Sequence, residues 1–403
     1  MIRRDKYINR IRPFINKPVI KVITGIRRCG KSTFVRILID ELINNGTAKQ
    51  NILFINKDSL EFDNIKSYKE LNDYVLEKFT AVKGRKYLFI DEIQEITEWE
   101  RAVGSFFTNK IADIYITGSN AGLLSSELAT LLTGRYIEFK MYTLVFSEFL
   151  KFRNKTNENK EDEFNLFLKY GGFPGIHQME FNDEVLGQYI SSIYSTILLK
   201  DVVSRNQVRD VALLERIVRY IADNCGNITT AKGISKYIKS QHLNCSVDTV
   251  QNYIEWLSDA YLSFKVPRFD IRGKRLLELY EKYFLGDPGF IFSILGSRTG
   301  DIAGKLENIV YLELLSRGYT VQIGKLYDQE VDFIAIKNNQ KMYIQVTYLL
   351  YDEKVIEREY GVLSSIKDNY TKLVLSLDKF FGTERNGIKW FNLIDFLLMD
   401  EIE

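Results

Sequence analysis

Eight residues near the start of the chain have the types and the spacing of a phosphate-binding loop. They are Gly25-Ile26-Arg27-Arg28-Cys29-Gly30-Lys31-Ser32, and they match G-x-x-x-x-G-K-[ST] between an apolar run and a helical pattern. Glycines let backbone N–H groups surround phosphates, the lysine adds a positive charge, and the serine hydroxyl can bind Mg²⁺. A glycine turn before an ordinary amphipathic helix is the alternative, which this context disfavours. We predict a nucleoside triphosphate site formed by Gly25, Arg28, Cys29, Gly30, Lys31, Ser32 and Thr33, with Ser32 also a metal ligand.

Two acidic residues follow a short apolar run about sixty residues later. The segment Tyr87-Leu88-Phe89-Ile90-Asp91-Glu92 predicts a buried strand with carboxylates at its C-terminal end, where α/β sheets bind their ligands. We expect Asp91 to hold Mg²⁺ directly or through water, and Glu92 to polarise the attacking water in phosphoryl transfer. The alternative is an ordinary strand that ends in a solvated turn. That alternative would be preferred for an acidic pair in a chain without a phosphate-binding loop.

A further strand, from Asp113 to Thr117, ends in Gly118-Ser119-Asn120. In a parallel sheet this end would lie beside Asp91, so that Ser119 and Asn120 could hold the attacking water or the γ-phosphate. The same two residue types also cap helices well, and the two roles are compatible. Arg135 precedes the next strand and could contact a phosphate of its own chain or of a neighbouring subunit. A surface or structurally paired arginine is the competing explanation.

The first 150 residues alternate between strand and helix patterns. Strands are predicted near 19–24, 51–56, 87–91, 113–117 and 136–141, and helices at 31–45, 68–80, 97–108 and 121–132. This alternation predicts an α/β fold with a parallel sheet, in which right-handed crossovers leave the loop and the strand ends on one edge.

Length and composition set the class of the protein. The 403 residues are too many for one core, and 45% apolar with 27% charged residues is typical of globular proteins. The net charge of +2 identifies no partner. No apolar run approaches the roughly 20 residues that cross a bilayer, and the N-terminus lacks the apolar core of a signal peptide, so we expect a cytoplasmic location and no membrane partner. Three cysteines without a C-x-x-C pair and only two histidines argue against a disulfide framework, a zinc site and histidine chemistry.

The middle of the chain has two parts. Residues 151–162 are polar and charged, which predicts a linker or an exposed loop, and a helical pattern follows to about residue 198. Helices near 213–223, 230–240 and 247–259 and a strand at 260–266 then predict a winged helix-turn-helix. Its basic side chains could contact double-stranded DNA: Lys232, Lys236, Lys239, Arg268, Arg272, Lys274 and Arg275. Winged helices also contact proteins, and acidic residues on the presumed reading helix oppose a phosphate surface, so both kinds of partner remain open.

The last hundred residues follow the plan of a restriction-endonuclease-like core. Glu307 lies on a predicted helix, Asp332 on a strand, and Gln345 and Thr347 on the hairpin partner of that strand. Active members of that fold need an acid and a lysine where this chain has the amide and the hydroxyl, so we expect no cleavage here. An ordinary α/β sheet and a nuclease-derived binding domain remain the two interpretations.

Taken over nearly its whole length, the chain resembles a family of prokaryotic P-loop ATPases of AAA type with a C-terminal restriction-endonuclease-like domain. The resemblance implies ATP and Mg²⁺ as cofactors and leaves the biological role open. The segment 143–149 departs from the family pattern, because a proline-leucine-serine start would be expected there. The resemblance is carried by residues 25–32, 88–94, 117–120, 134–135, 171–174 and 199–203, together with Glu307, Asp332 and Ile344-Gln345-Val346.

We therefore expect four regions: an ATPase domain at 1–150, a linker with a helical lid-like segment at 151–206, a winged helix-turn-helix at 207–295, and an inactive endonuclease-like domain at 296–403. The expected function is an ATPase that acts as a nucleotide-driven switch on DNA or on a protein partner. An ATP-gated nuclease and a DNA-binding regulator with negligible hydrolysis are the alternatives. The sequence does not determine the oligomeric state.

Overall fold

The computed structural model describes residues 2–124, 132, 134–155, 159–296, 302–380, 382 and 384–402. It divides into two compact units, which we describe separately. Unit 1 comprises residues 1–141 and 259–261, and unit 2 comprises residues 142–258 and 262–403. Among the described residues, no helix is both long enough and apolar enough to cross a membrane.

Unit 1 is built on a parallel sheet of five strands in the order β2-β3-β4-β1-β5. The strands are β1 (Ile20–Gly25), β2 (Ile52–Asn56), β3 (Tyr87–Asp91), β4 (Asp113–Gly118) and β5 (Tyr136–Met141). Its α-helices in the described residues are α1 (Asp5–Ile11), α2 (Lys31–Asn44), α3 (Tyr68–Phe79) and α4 (Trp99–Thr108). The predicted parallel sheet and its five strands are confirmed.

One predicted helix of unit 1 is only partly visible. The range 121–132 begins as a short 3₁₀ helix, Ala121–Leu124, and residues 125–131 lie outside the described part of the chain.

The core of unit 1 explains why its strands are continuous apolar runs. Strands β1 and β3 are buried along their whole length, as expected for a parallel sheet that is covered on both faces. Apolar side chains of α3 and α4 pack with those of the strands in one cluster, which includes Leu71, Val75, Val103 and Phe106. This packing holds the C-terminal ends of the strands together at one edge.

Unit 2 combines helices with a mixed sheet of nine strands. The helices are α5 (Phe146–Arg153), α6 (Lys160–Tyr170), α7 (Asp183–Thr196), α8 (Val211–Asp223), α9 (Ala231–Ser240), α10 (Val247–Asp259), α11 (Gly289–Leu295), α12 (Ile302–Ser316), α13 (Glu353–Ser364) and α14 (Leu393–Leu398). The strands are β6 (Ile228–Thr229), β7 (Ser263–Asp270), β8 (Arg275–Leu285), β9 (Thr320–Leu326), β10 (Gln329–Lys337), β11 (Gln340–Val346), β12 (Thr371–Ser376), β13 (Glu384–Arg385) and β14 (Ile388–Asn392). Their order is β13-β14-β12-β11-β10-β9-β7-β8-β6.

The polar stretch 151–162 is not a continuous loop. Helix α5 runs through Arg153, and α6 begins at Lys160, so the prediction of a linker or an exposed loop is wrong for both ends of the stretch. The reason is a set of phenylalanines at helical spacing outside the charged residues. Phe146 packs edge-on against Phe164 with 5.4 Å between the ring centroids, and Phe149 lies 5.3 Å from Phe167 in the same way. Burial of these rings stabilises helices whose other faces are charged.

Three helices and a hairpin follow in the order predicted for the middle segment. Helices α8, α9 and α10 precede the antiparallel strands β7 and β8, and β6 pairs with β8. The hairpin is part of the nine-stranded sheet, because β7 also pairs with β9 in parallel. Arg268 on β7 is consequently only 9% exposed, which corrects its prediction as an open phosphate contact.

The C-terminal layer contains helix α12 and strands β10 and β11, which agree with the helix and the hairpin predicted for this part of the sequence. Strands β10 and β11 form an antiparallel hairpin through residues 338–339. Its core contains Leu326, Ile334, Tyr343, Leu363 and Trp390. Glu307, Asp332 and Gln345 are all buried within this layer.

Candidate active site

The loop between β1 and α2 requires glycine at both of its ends. Gly25 has φ +146°, and a Cβ placed on it would lie 2.1 Å from the carbonyl oxygen of Met141. Gly30 has φ +105° and is the N-cap of α2, so the helix begins directly at Lys31. Only glycine adopts these angles without strain. The positive end of the α2 dipole therefore points into the loop, where an anion would be stabilised.

Lys31 is a buried cation at the centre of this loop. Its Nζ donates to the carbonyl oxygens of Gly25 at 2.9 Å and of Ile26 at 3.3 Å. The same Nζ lies 3.7 Å from Oε1 of Glu92. The loop and the acidic end of β3, predicted to converge from separate segments, are thus within contact distance in unit 1.

Asp91 links the loop to the end of β4. A hydrogen bond joins its carboxylate to the Ser32 side chain, and the hydroxyl of Thr117 donates a second one. Burial raises the pKa of Asp91, although these two hydrogen bonds oppose the rise. Ser32 and Asp91, the two predicted metal ligands, therefore lie side by side.

Thr117 is a site residue that the sequence did not identify. Besides donating to Asp91, its Oγ1 accepts a hydrogen bond from the backbone N–H of Glu92 at 3.0 Å. The residue lies one position before Gly118, in a motif that the sequence marked without giving this side chain a role. Its contacts depend on the pairing of β3 with β4, so only a three-dimensional arrangement could reveal them.

Glu92 stands on a turn that departs from ordinary strand geometry. Its φ is +54°, a left-handed value that is uncommon outside glycine. Gln94 donates a hydrogen bond to its carboxylate. Burial would raise the pKa of Glu92, but Lys31, Gln94, Arg27 and Ser119 together outweigh burial and lower it. The side chain is thus ionised at neutral pH, as a water-orienting base must be.

Ser119 and Asn120 lie at the end of β4, next to this acidic pair. Ser119 is fully buried and contributes to lowering the pKa of Glu92. Asn120 accepts a hydrogen bond from the N–H of Gly122 at 2.5 Å and so caps the 3₁₀ turn that follows. The capping alternative therefore holds for Asn120, while Ser119 is the residue that faces Glu92.

Arg135 is not part of this cluster. Strand β5 pairs with β1 in parallel, with Tyr136 opposite Ile20 and Met141 opposite Gly25. Arg135 therefore lies at the edge where the strands begin, whereas the loop lies at the edge where they end. Five residues of strand separate that edge from the loop, which corresponds to about 16 Å. The predicted contact between Arg135 and a phosphate of its own chain is therefore wrong. Its guanidinium instead lies 5.8 Å from the centre of the Phe107 ring.

The remaining predicted loop ligands differ in exposure. Arg28 and Thr33 are exposed, whereas the Cys29 side chain is buried and its Sγ contacts the carbonyl oxygen of Met141 at 3.7 Å. Arg4, which the sequence did not single out, donates from Nη1 to the carbonyl oxygen of Cys29 at 3.1 Å. Arg4 thus supports the loop from the N-terminal segment, and Cys29 can contribute only through its backbone.

Comparisons with known proteins agree with the fold of unit 1. A family model described as an AAA domain matches residues 17–150, and one described as a domain of unknown function (DUF8612) matches residues 161–301. The Walker-type ATPase PABY2304 of Pyrococcus abyssi has a similar fold, with a TM-score of 0.50 and 16% identity over 73% of this chain and 95% of that one.

Two curated relatives align over most of the chain. An uncharacterized protein of Haemophilus influenzae is 37% identical over 401 residues, which cover 99% of both chains. The uncharacterized protein MJ1544 of Methanocaldococcus jannaschii is 34% identical over 89% of this chain and 81% of its own length. Together with the loop and the strand order of unit 1, these matches show that the chain belongs to the family of these two proteins and carries a P-loop domain of AAA type.

Proposed function

We propose that this chain binds ATP with Mg²⁺ at the P-loop of unit 1 and hydrolyses it. The observation that supports this proposal most directly is the convergence of Lys31, Ser32, Asp91 and Glu92 from two separate segments. A buried lysine, a hydroxyl beside a carboxylate and an ionised glutamate are the groups that phosphoryl transfer to water requires.

The residues divide the work between binding and catalysis. Lys31 and the first backbone N–H groups of α2 would hold the phosphates, and Ser32 and Asp91 would hold the metal. Mg²⁺, when bound, supplies positive charge that stabilises negative charge on phosphate oxygens. Glu92 would accept a hydrogen bond from the attacking water, while Gln94 and Thr117 fix the position of this carboxylate and of its backbone. Ser119 would orient the water from the neighbouring strand.

Two substitutions test the binding and hydrolysis steps separately. Lys31→Ala should lower phosphate release by about 100-fold or more, because it removes the charge that faces the phosphates. Glu92→Gln should retain ATP within about threefold of the original affinity and lose hydrolysis by about 100-fold. Titration calorimetry measures the affinity for ATP, and an assay of phosphate release measures hydrolysis.

The control is Glu95→Gln, which changes an exposed glutamate of the same turn and should leave turnover unchanged. Unchanged turnover in Glu92→Gln would remove its catalytic role. The absence of any binding heat with ATP and Mg²⁺ would contradict the whole proposal.

We propose further that nucleotide turnover in unit 1 acts as a conformational switch for unit 2, with duplex DNA as its partner. The support is a basic surface at the tip of the β7–β8 hairpin, where Arg272, Lys274 and Arg275 are all exposed. The neighbouring β9–β10 tip lies alongside, and its Tyr327 ring is 5.1 Å from the Arg272 guanidinium. Basic and aromatic side chains in this combination suit a sugar-phosphate backbone.

A DNA retardation assay over a range of salt concentrations tests this surface. Replacing Arg272, Lys274 and Arg275 by alanine should weaken retention at low salt and flatten its salt dependence, because three phosphate contacts are lost. A second charge-matched variant, with Lys232, Lys236 and Lys239 on α9 replaced by alanine, tests the other basic group that the sequence pattern assigned to DNA. Equal retention by the original chain and the hairpin variant would exclude this surface, and failure of the original chain to retain DNA at low salt would favour a protein partner.

A further inference from the structure

A buried lysine lies among three carboxylates in the C-terminal layer of unit 2. Nζ of Lys282, on β8, is 2.8 Å from Oε2 of Glu307, 2.6 Å from Oε1 of Glu330 and 3.4 Å from Oδ1 of Asp332. Glu307 belongs to α12, and the two other acids belong to β10. We call these four residues the Lys282 cluster.

The charged groups of this cluster are largely shielded from water. Lys282 is 2% exposed, and Glu307 and Asp332 are each 8% exposed. Burial would lower the pKa of Lys282, but the three carboxylates outweigh burial and raise it, so the ammonium stays charged. Burial and the nearby Asp332 raise the pKa of Glu307 well above its usual value. All three acids lie within 3.4 Å of one ammonium, and Arg268 is a further cation that acts on Glu330.

The backbone around the cluster is fixed by further hydrogen bonds. Oδ2 of Asp332 accepts from the N–H of Val346 at 2.9 Å, and Oε1 of Gln345 accepts from the N–H of Asp332 at 2.7 Å. The Gln345 amide then donates to Glu359 at 2.8 Å. Gln345 therefore uses both ends of its amide to hold β10 and α13.

We propose that the Lys282 ammonium is a built-in cation that takes the place of a divalent metal among these carboxylates and locks strand β8 to helix α12 and strand β10. In the described part of the chain, no group of three or more His, Cys, Asp and Glu side chains is arranged to hold a metal. The carboxylate plan of the fold thus serves a structural purpose in this protein. The lock also anchors the strand that returns from the basic hairpin tip.

Urea unfolding of the full chain tests the lock. Lys282→Met keeps the aliphatic stem and removes the charge, so the unfolding midpoint of unit 2 should fall by about 1 M urea. Adding Glu307→Gln should recover part of this loss, because fewer carboxylates then need a counter-ion. Lys265→Met is the matched control, since Lys265 on the adjacent strand is 52% exposed in its side chain and pairs with Glu281 at the surface.

A manganese titration of the original chain adds a second readout. The urea midpoint should not change when Mn²⁺ is added at about 1 mM, a concentration that occupies weak divalent sites. An unchanged midpoint in Lys282→Met would overturn the proposal. A Mn²⁺ shift of the original chain that disappears in Asp332→Asn would also overturn it. If Lys282→Met does not fold, recovery of folded protein by Glu307→Gln supports the lock, and continued failure contradicts it.

Discussion

At the scale of single residues, the site depends on how Glu92 is held. Its left-handed backbone turns the carboxylate back towards Lys31, and the Thr117 hydroxyl fixes its N–H. Gln94 supplies a side-chain hydrogen bond to the carboxylate itself. The oxygen of this amide, Oε1, is buried without a hydrogen-bond partner among the described residues. Gln94 is therefore a positioning residue with an acceptor that a water molecule could use.

Replacement of Gln94 by alanine tests this role. We expect kcat for ATP hydrolysis to fall by about tenfold with little change in KM, because the carboxylate loses its orientation while the phosphate contacts remain. Loss of the Gln94 hydrogen bond should also raise the pKa of Glu92, so the acid limb of the pH–rate profile should move to higher pH. A change in KM with kcat and pH profile unaltered would show that Gln94 acts only on substrate binding.

At the scale of elements, helices α5 and α6 are held by aromatic packing that encloses a histidine. The His177 ring lies 4.9 Å from Phe149, 5.5 Å from Phe152 and 5.8 Å from Phe181, measured between centroids. Neither of its ring nitrogens has a hydrogen-bond partner among the described residues. Burial, with a smaller effect of Arg153, lowers the pKa of His177 to about 4. Arg153 is itself paired with Glu163.

This environment predicts a pH dependence of the stability of unit 2. The unfolded chain binds a proton at His177 below about pH 6.5, whereas the folded chain does so only near pH 4. The free energy of unfolding should therefore fall by on the order of 2 kcal/mol as the pH drops through this window. His177→Leu should remove that part of the slope in urea titrations at pH 7.0 and about pH 4.5.

The exposed His242 provides the matched control, since His242→Leu should keep the original slope. Asp287 contributes a slope of opposite sign, because burial raises its pKa to about 6 and the folded state then gains a proton at higher pH than the unfolded state. Taking the difference between variants isolates the histidine. An identical slope in both histidine variants would contradict the prediction.

At the scale of the whole molecule, the chain joins an AAA-type domain to a larger second unit. The Haemophilus influenzae relative aligns over 99% of both chains, so the two units occur together there as well. A shared chain makes a functional connection between nucleotide turnover and the second unit reasonable, and phosphate release can measure it.

We expect duplex DNA to raise the rate of phosphate release by several-fold at low salt. A coupling free energy of about 1–1.4 kcal/mol between DNA binding and turnover corresponds to at most about a tenfold increase. The hairpin variant lacking Arg272, Lys274 and Arg275 should keep the basal rate and lose the stimulation. Stimulation that persists in this variant would place the DNA contact elsewhere. Indifference of the original chain to DNA would favour a protein partner.

Local patterns in the sequence predicted the P-loop domain of this protein, which is the smaller of the two units. Residues 25–32 form a local motif whose geometry depends on neighbours in the chain, and apolar runs predicted each strand of the first sheet. Because parallel strands end at one edge, the proximity of Asp91 and Ser119 followed from that pattern. Local periodicity likewise predicted α8, α9 and α10 and the hairpin that carries Asp332.

Which distant side chains meet became clear only from the packed chain. The register of β5 places Arg135 at the edge of the sheet opposite the loop. The pairing of β3 with β4 places Thr117 between Asp91 and the backbone of Glu92. Lys282 joins acids that lie 25, 48 and 50 positions further along the chain, and no local pattern signals such a contact. The physical reason is that these contacts depend on strand order, sheet curvature and the burial of charge, which emerge only when separate segments pack.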